Sequence, residues 1–177
     1  MCKLCLIKPV YEFNNKRKIC SSCFINWFQK KFLYTLRVFN MVKSGDVISY
    51  KKGNSFREVV LEDVLKMYAE KGHVRLVTKG KSSKFAVSNT SDTETHEVIN
   101  EMFNNKIKEH KPVNKQIISP LYLFLDKEVK LYAKLRGLKF KEIKNKKKDN
   151  LVSFVNELEL KHPELKQAVV SGMLKMK

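Results

Sequence analysis

Phe24, Phe28, Phe32, Leu36 and Phe39 recur at intervals of four, four, four and three residues, the period of one face of an α-helix. An amphipathic helix is therefore expected just beyond residue 23, with an aromatic stripe toward a core. Lys30, Lys31 and Arg37 fall off that stripe. From residue 46 the texture changes to short apolar runs alternating with longer periodic ones. Residues 46–50 read as a strand, 51–56 as a loop and 59–70 as a helix. Strands are expected at 74–77 and 85–88, and a helix at 92–105 opened by Ser91 or Asp92 as cap. Ile117 and Ile118 suit a strand before Pro120. Residues 126–136 suit a helix capped by Asp126 and stopped by Gly137. A helix over 149–161 would put Leu151, Phe154, Val155 and Leu158 on one face, and Pro163 opens a last helix running toward Ser171. Residues 144–150 are the most loop-like stretch. Strands alternating with helices predict an α/β fold with a parallel sheet and flanking helices.

The 177 residues suffice for one compact domain with a small appendage, and 43% hydrophobic content is ordinary for a chain with a core. No apolar run approaches the ~18 residues of a membrane span, and the N-terminal stretch carries cysteines where a signal peptide needs unbroken apolar residues. A cytoplasmic location is expected. The formal charge of +18 makes a polyanion the natural partner, nucleic acid first. A compositional bias toward Lys and Asn is the plainer explanation, but the charge is concentrated. Residues 1–45 carry Lys3, Lys8, Lys16, Arg17, Lys18, Lys30, Lys31, Arg37 and Lys43 against Glu12 alone, and Lys139, Lys141, Lys144, Lys146, Lys147 and Lys148 form a second focus. An anionic membrane surface ranks third, because no lipidation motif accompanies the charge.

All four cysteines fall in one pattern, Cys2-x2-Cys5, a gap of 14 residues, then Cys20-x2-Cys23. Each pair places two thiolates on one tight turn, and four sulfurs fill the tetrahedral shell of Zn²⁺. Such a site is closed and structural. A disulfide framework suits a reducing compartment poorly, while iron in a rubredoxin-like centre would use the same ligands. His73, His96, His110 and His162 lack metal-ligand spacing. Asp92, Glu94 and Glu97 read as charge complementing a helix N-terminus in preference to a Mg²⁺ site.

Cys2-x2-Cys5, Cys20-Ser-Ser-Cys23-Phe24 and the aromatic, basic helix after them resemble the start of the cytoplasmic tRNA 2-thiolation protein 2 family, the non-catalytic relatives of the wobble-uridine thiolases. Pro120-Leu121, Asp126-Lys-Glu-Val129, Tyr132-Ala133, Leu158-Glu159, His162-Pro163 and the closing Ser171-Gly-Met-Leu-Lys175 resemble its later segments. The resemblance runs from residue 2 to about 176 and is patchy between 71 and 112. It implies a degenerate adenine-nucleotide α-hydrolase-like (Rossmann-like) domain over 41–177, preceded by a zinc module and helix over 1–40. Catalytic relatives carry a Ser-Gly-Gly-x-Asp-Ser loop that holds pyrophosphate. Here Lys52-Gly53-Asn54-Ser55-Phe56-Arg57 stands in its place, and only Gly53 fits. Residual attraction of a phosphate to Lys51, Lys52 and Arg57 stays open. No cysteine remains for sulfur transfer. The implied role is non-enzymatic: a partner, in a heterodimer, of a catalytic thiolase with an intact ATP loop, helping to hold tRNA for 2-thiolation at uridine 34. Lys16, Arg17, Lys18, Lys30, Lys31 and Arg37 are the candidate tRNA contacts. A homodimer is expected when the partner is absent. The alternatives are a freestanding zinc-dependent RNA- or DNA-binding protein and an enzyme with an altered nucleotide loop.

Overall fold

The computed structural model describes residues 1–72, 74–78, 80–106, 108–142 and 150–175, without the side chains of 150–152 and 156. His73, the basic positions Lys144, Lys146, Lys147 and Lys148, and the Leu151 side chain lie outside the described residues. A small antiparallel hairpin, β1 (Tyr11–Glu12) and β2 (Lys18–Ile19), sits between the cysteine pairs and leads into α1 (Ser21–Val38). Then follow β3 (Val47–Tyr50), α2 (Phe56–Ala69), β4 (Arg75–Val77), β5 (Lys84–Ala86) and α3 (Ser91–Phe103). The chain continues through β6 (Val113–Asn114), β7 (Ile117–Ile118), α4 (Asp126–Leu135), α5 (Asn150–Lys161) and α6 (Leu165–Lys175).

The central sheet has the order β4-β3-β5-β7-β6, with every pairing parallel except β6 against β7. The antiparallel edge is a departure from the expected all-parallel sheet. Each of its strands has two residues, too few for alternation to register, and the turn places Lys115 at φ +53°. Ile48, Tyr50, Ala86 and Ile118 project from one face of the sheet into a core built with Phe24, Phe28 and Phe32 of α1, Val60, Leu61, Val64 and Leu65 of α2, and Val129, Tyr132 and Ala133 of α4. The predicted aromatic stripe is thus core: Phe24, Phe28 and Phe32 are fully buried, and Phe28 lies 4.2 Å from Tyr132 and 4.3 Å from Phe124, ring centre to ring centre. The same core takes in Cys2, Ile19 and Cys20 of the head.

The opposite face is thinly covered. Only residues 78–83 connect β4 to β5, too few for the crossover helix that parallel strands ordinarily use. Register aligns Val77, Ser49, Phe85 and Ile117 in one row across four strands, and Phe85 and Ile117 remain 39% and 47% exposed. Parallel sheets are normally buried on both faces, so the neighbouring Phe85 and Ile117 form an unusual exposed apolar strip.

α2 and α3 start earlier than expected, and the caps of α3 and α4 fall before the predicted residues because tertiary contacts claim Ser91, Asp92 and Asp126. α2 begins at Phe56, not at 59, because Ser55 caps it: the Glu58 N–H donates to Ser55 Oγ, and the Ser55 N–H donates to Glu58 Oε2. Thr90 caps α3, while Ser91 Oγ donates to the Tyr122 carbonyl and Asp92 accepts from Lys166 and from the Asp126 N–H. Leu125 stands at the cap position of α4, its N–H taken by Glu128, while Asp126 accepts from Arg57 and Thr90. The last helix continues past Ser171 to Lys175.

Glu128 ties these parts together. Its carboxylate, 3% exposed, accepts from Tyr11 Oη in the head (3.2 Å), Lys31 Nζ on α1 (2.9 Å) and the Leu125 N–H (3.0 Å). Burial, reinforced by that carboxylate, pushes the Tyr11 hydroxyl well above the ordinary tyrosine range, so it remains a donor. Glu128→Ala would leave the partly buried Lys31 ammonium, the Tyr11 hydroxyl and the Leu125 N–H without their shared partner. We predict a loss of about 3–5 kcal/mol in urea denaturation, partly recovered when Lys31→Met is added; a loss below about 1 kcal/mol would show that the contact is dispensable.

α3, α5 and α6 form a second helical cluster, clasped by ion pairs. Lys166, 6% exposed, lies 2.6 Å from both Asp92 and Glu159. His110, 9% exposed, bridges Glu94 (3.1 Å) and Glu101 (3.0 Å) through its two ring nitrogens. Burial by itself would lower the imidazole pKa, but the bonds to Glu101 and Glu94 outweigh it and hold the group above the usual histidine value. Its contribution is therefore complete below about pH 6.5 and is lost as pH climbs through the raised folded value. His110→Asn should cost about 1–3 kcal/mol more at pH 6 than at pH 9 by denaturant titration, and an equal cost at both would contradict the charged clasp.

Candidate metal centre and basic helix face

The head folds so that both cysteine pairs meet. In the first knuckle the Cys2 N–H donates to the Ile7 carbonyl (2.8 Å), the Leu6 N–H to the Cys2 carbonyl (3.1 Å) and the Leu4 N–H to Cys2 Sγ (3.4 Å). Leu6 takes φ +62°, the left-handed region that a knuckle turn imposes and that a bulky residue adopts only at a cost. The second pair opens α1: Cys20 is its cap residue, with φ −80° and ψ 176°, and Cys23 lies in its first turn. A helix N-terminus favours negative charge, so it suits thiolate ligands.

The four Sγ atoms lie within 4.8 Å of one another, with Cys5 3.2 Å from Cys20 and 3.7 Å from Cys23. Four sulfurs about 2.3 Å from one tetrahedral ion stand about 3.8 Å apart, so the set fits a single ion. All of the chain's thiols belong to this site.

The six basic candidates do not share one environment. Lys16, at φ +61°, stands exposed at the tip of the β1–β2 turn. Arg17 lays its guanidinium 4.4 Å from the centre of the Phe13 ring, and Lys18 pairs with Glu12 at 3.2 Å. Lys30 and Arg37 are exposed along α1. Lys31 is turned inward, held by Glu128 and seated over the rings of Trp27 (4.9 Å) and Phe124 (4.6 Å). It is a structural cation, and its partner lies 97 residues away in sequence, beyond the reach of any local pattern.

The loop expected to bear vestiges of phosphate binding is filled from within. Glu58 folds back across it, its Oε2 accepting from the Ser55 N–H (3.0 Å) and Ser55 Oγ (2.7 Å). A Cβ placed on Gly53 would lie 2.0 Å from the Glu58 carboxyl, so this glycine is required to admit the carboxylate. Hydrogen bonds from Ser55 hold that carboxyl below its ordinary pKa despite partial burial, keeping it anionic. Arg57 is engaged by Asp126, its Nε 2.8 Å from Oδ1, and by a second contact from Nη2 to Oδ2. The mouth is covered in turn: the Lys141 N–H donates to the Asn54 carbonyl (2.7 Å), and Phe140 packs on Phe56. The phosphate attraction left open for Lys51, Lys52 and Arg57 thus meets a fixed negative charge in the loop and a neutralised arginine beside it.

Glu94, Glu97 and His110 also come within ligand distance of one another. Both His110 nitrogens are committed to carboxylates and Glu94 also accepts from Asn89, so this group is an ion-pair clasp. No described helix is long and apolar enough to cross a membrane.

No protein-family model matches the chain, and no curated protein matches it. Among solved structures the chain is similar to the U34-tRNA thiolase NcsA from Methanococcus maripaludis with its 4Fe-4S cluster, with a TM-score of 0.78 and 15% identity over 99% of this chain and 88% of that one. The likeness is one of fold: a mostly parallel sheet with flanking helices, of the adenine-nucleotide α-hydrolase-like fold.

Elemental analysis of the purified protein should give one metal ion per chain. Coordination at such sites supplies on the order of 10 kcal/mol of folding free energy, so Cys20→Ser should lose the ion and open residues 1–20 to proteolysis. Full metal content and an unchanged Tm in that variant would contradict the site.

Proposed function

We propose that this protein is a non-catalytic subunit of a cytoplasmic tRNA 2-thiolation complex acting at wobble uridine 34. In this reading it forms a heterodimer with a catalytic thiolase that carries the intact ATP loop, and it helps to hold the tRNA. The observation that carries the reading is the combination of a fold similar to that of a U34-tRNA thiolase with a β3–α2 loop occupied by the protein's own Glu58. Adenylation needs backbone N–H groups at that turn to receive pyrophosphate, and a resident carboxylate competes for them. Sulfur transfer needs cysteines as cluster ligands or as a persulfide carrier, and in this reading the structural zinc centre uses all four.

The metal in this reading is Zn²⁺, redox-inert and structural, which agrees with the close spacing of the sulfurs. The partner is supported by apolar surface that the fold leaves uncovered: Leu4, Leu6 and Ile7 on the first knuckle are 68%, 71% and 58% exposed, and Phe85 and Ile117 form the sheet strip. Exposed Lys16, Lys30 and Arg37 supply phosphate contacts, which give affinity and position without chemistry. A freestanding RNA- or DNA-binding protein is the second reading, favoured by the +18 charge.

Isothermal titration with ATP and Mg²⁺ should give no heat of binding at millimolar nucleotide. Mixed with the catalytic thiolase of the same cell, the protein should co-elute with it and lower its KM for tRNA. Saturable ATP binding would overturn the non-catalytic assignment, while RNA binding without any effect on the thiolase would favour the freestanding binder.

A further inference from the structure

An open concavity of about 570 Å³ runs along α1 from the metal centre, lined by Asn26, Trp27, Lys30, Tyr34 and Arg37 besides Cys23 and Lys31. From residue 23 to residue 37 the helix rises about 21 Å. α1 contains no acidic residue, so nothing on the helix itself offsets its cations. Lys31 is neutralised by Glu128, which leaves Lys30 and Arg37 as the outward charges of the groove.

Tyr34 stands between them. Phe24, Phe28 and Phe32 of the same helix are fully buried, whereas Tyr34 is 50% exposed and packs against no other described aromatic ring. Its described neighbour is the Arg37 guanidinium, 6.0 Å from the ring centre. An exposed aromatic face flanked by two cations is the arrangement that seats an unpaired nucleobase: the ring stacks and the cations hold the backbone. Bases in a duplex keep their faces inside the stack, so the groove suits a single strand. Asn26 adds a carboxamide, both donor and acceptor, to the groove wall. Neither an apolar peptide nor a lipid finds an aliphatic floor here.

We propose that this groove is a single-stranded RNA site in which Tyr34 stacks one unpaired base while Lys30 and Arg37 bind the adjoining phosphates. The proposal rests on the RNA-handling reading above and assigns it a surface and a strandedness.

Trp27 is the only tryptophan of the chain and lines the groove, so its emission reports occupancy directly. The metal-loaded protein is titrated with a fluorescein-labelled uridine-rich RNA heptamer, with a blunt RNA duplex and with a poly-glutamate peptide. Label anisotropy measures RNA binding separately. The heptamer should quench Trp27 saturably, in step with anisotropy, and the duplex and peptide should not. Tyr34→Ala should weaken heptamer binding about 5- to 150-fold, the range for losing one stacked base, while Tyr34→Phe retains it. Lys30→Ala with Arg37→Ala should reduce the slope of log affinity against log salt by about 1.4. Heptamer binding that leaves Trp27 unchanged and tolerates Tyr34→Ala overturns the groove while leaving RNA binding intact. Equal quenching by duplex or peptide overturns the base platform. Absence of RNA binding by either signal removes the RNA reading itself.

Discussion

A single buried carboxylate, Glu128, fixes the relation between the metal head and the α/β layers. It takes a hydroxyl from Tyr11, an ammonium from Lys31 and a backbone N–H from Leu125, so the β1–β2 hairpin, α1 and the start of α4 meet at one charge. A carboxylate removed from water is strongly disfavoured unless its lone pairs are satisfied, and these donors satisfy it. The aromatic packing of Phe28 on Tyr132 and Phe124 supplies the non-directional part of the same junction. With α1 anchored in this way, its remaining surface, the Lys30–Tyr34–Arg37 side, is held outward as a rigid platform beside the four cysteines.

The β3–α2 turn is where a fold of this class offers backbone N–H groups to phosphate, and here the chain supplies its own anion. Ser55 and Glu58 make a capping box whose carboxylate reaches into the space that Gly53 leaves, Asp126 neutralises Arg57, and the segment through Phe140 and Lys141 closes the mouth. These contacts stabilise the start of α2 and fill the turn with the chain's own side chains. Under the proposed role the basic charge and the fold serve to position RNA for another protein's chemistry.

Features with a strong local period were legible in the sequence. The Phe24–Phe28–Phe32 spacing gave the helix and its buried face, the alternation of strands and helices gave the fold class, and the cysteine spacing gave the meeting of four thiols. Features decided by distant partners were not. Lys31 looked like a surface cation because Glu128 is remote in the chain, and Asp126 looked like a helix cap because its true partners, Arg57 and Thr90, come from other elements. The β6–β7 hairpin was too short to show alternation. The filled loop carries its own local signal, since Ser55-Phe-Arg-Glu58 has capping-box spacing, but a phosphate-binding pattern has no position for the carboxylate that folds back into the turn.

The central claim, a role in 2-thiolation of the wobble uridine, is tested most directly by the modified-nucleoside content of tRNA. Mass spectrometry of tRNA from cells depleted of this protein should show loss of 2-thiouridine at position 34, restored by re-expressing the protein but not by its Cys20→Ser variant. Undiminished 2-thiouridine in fully depleted cells would contradict the account.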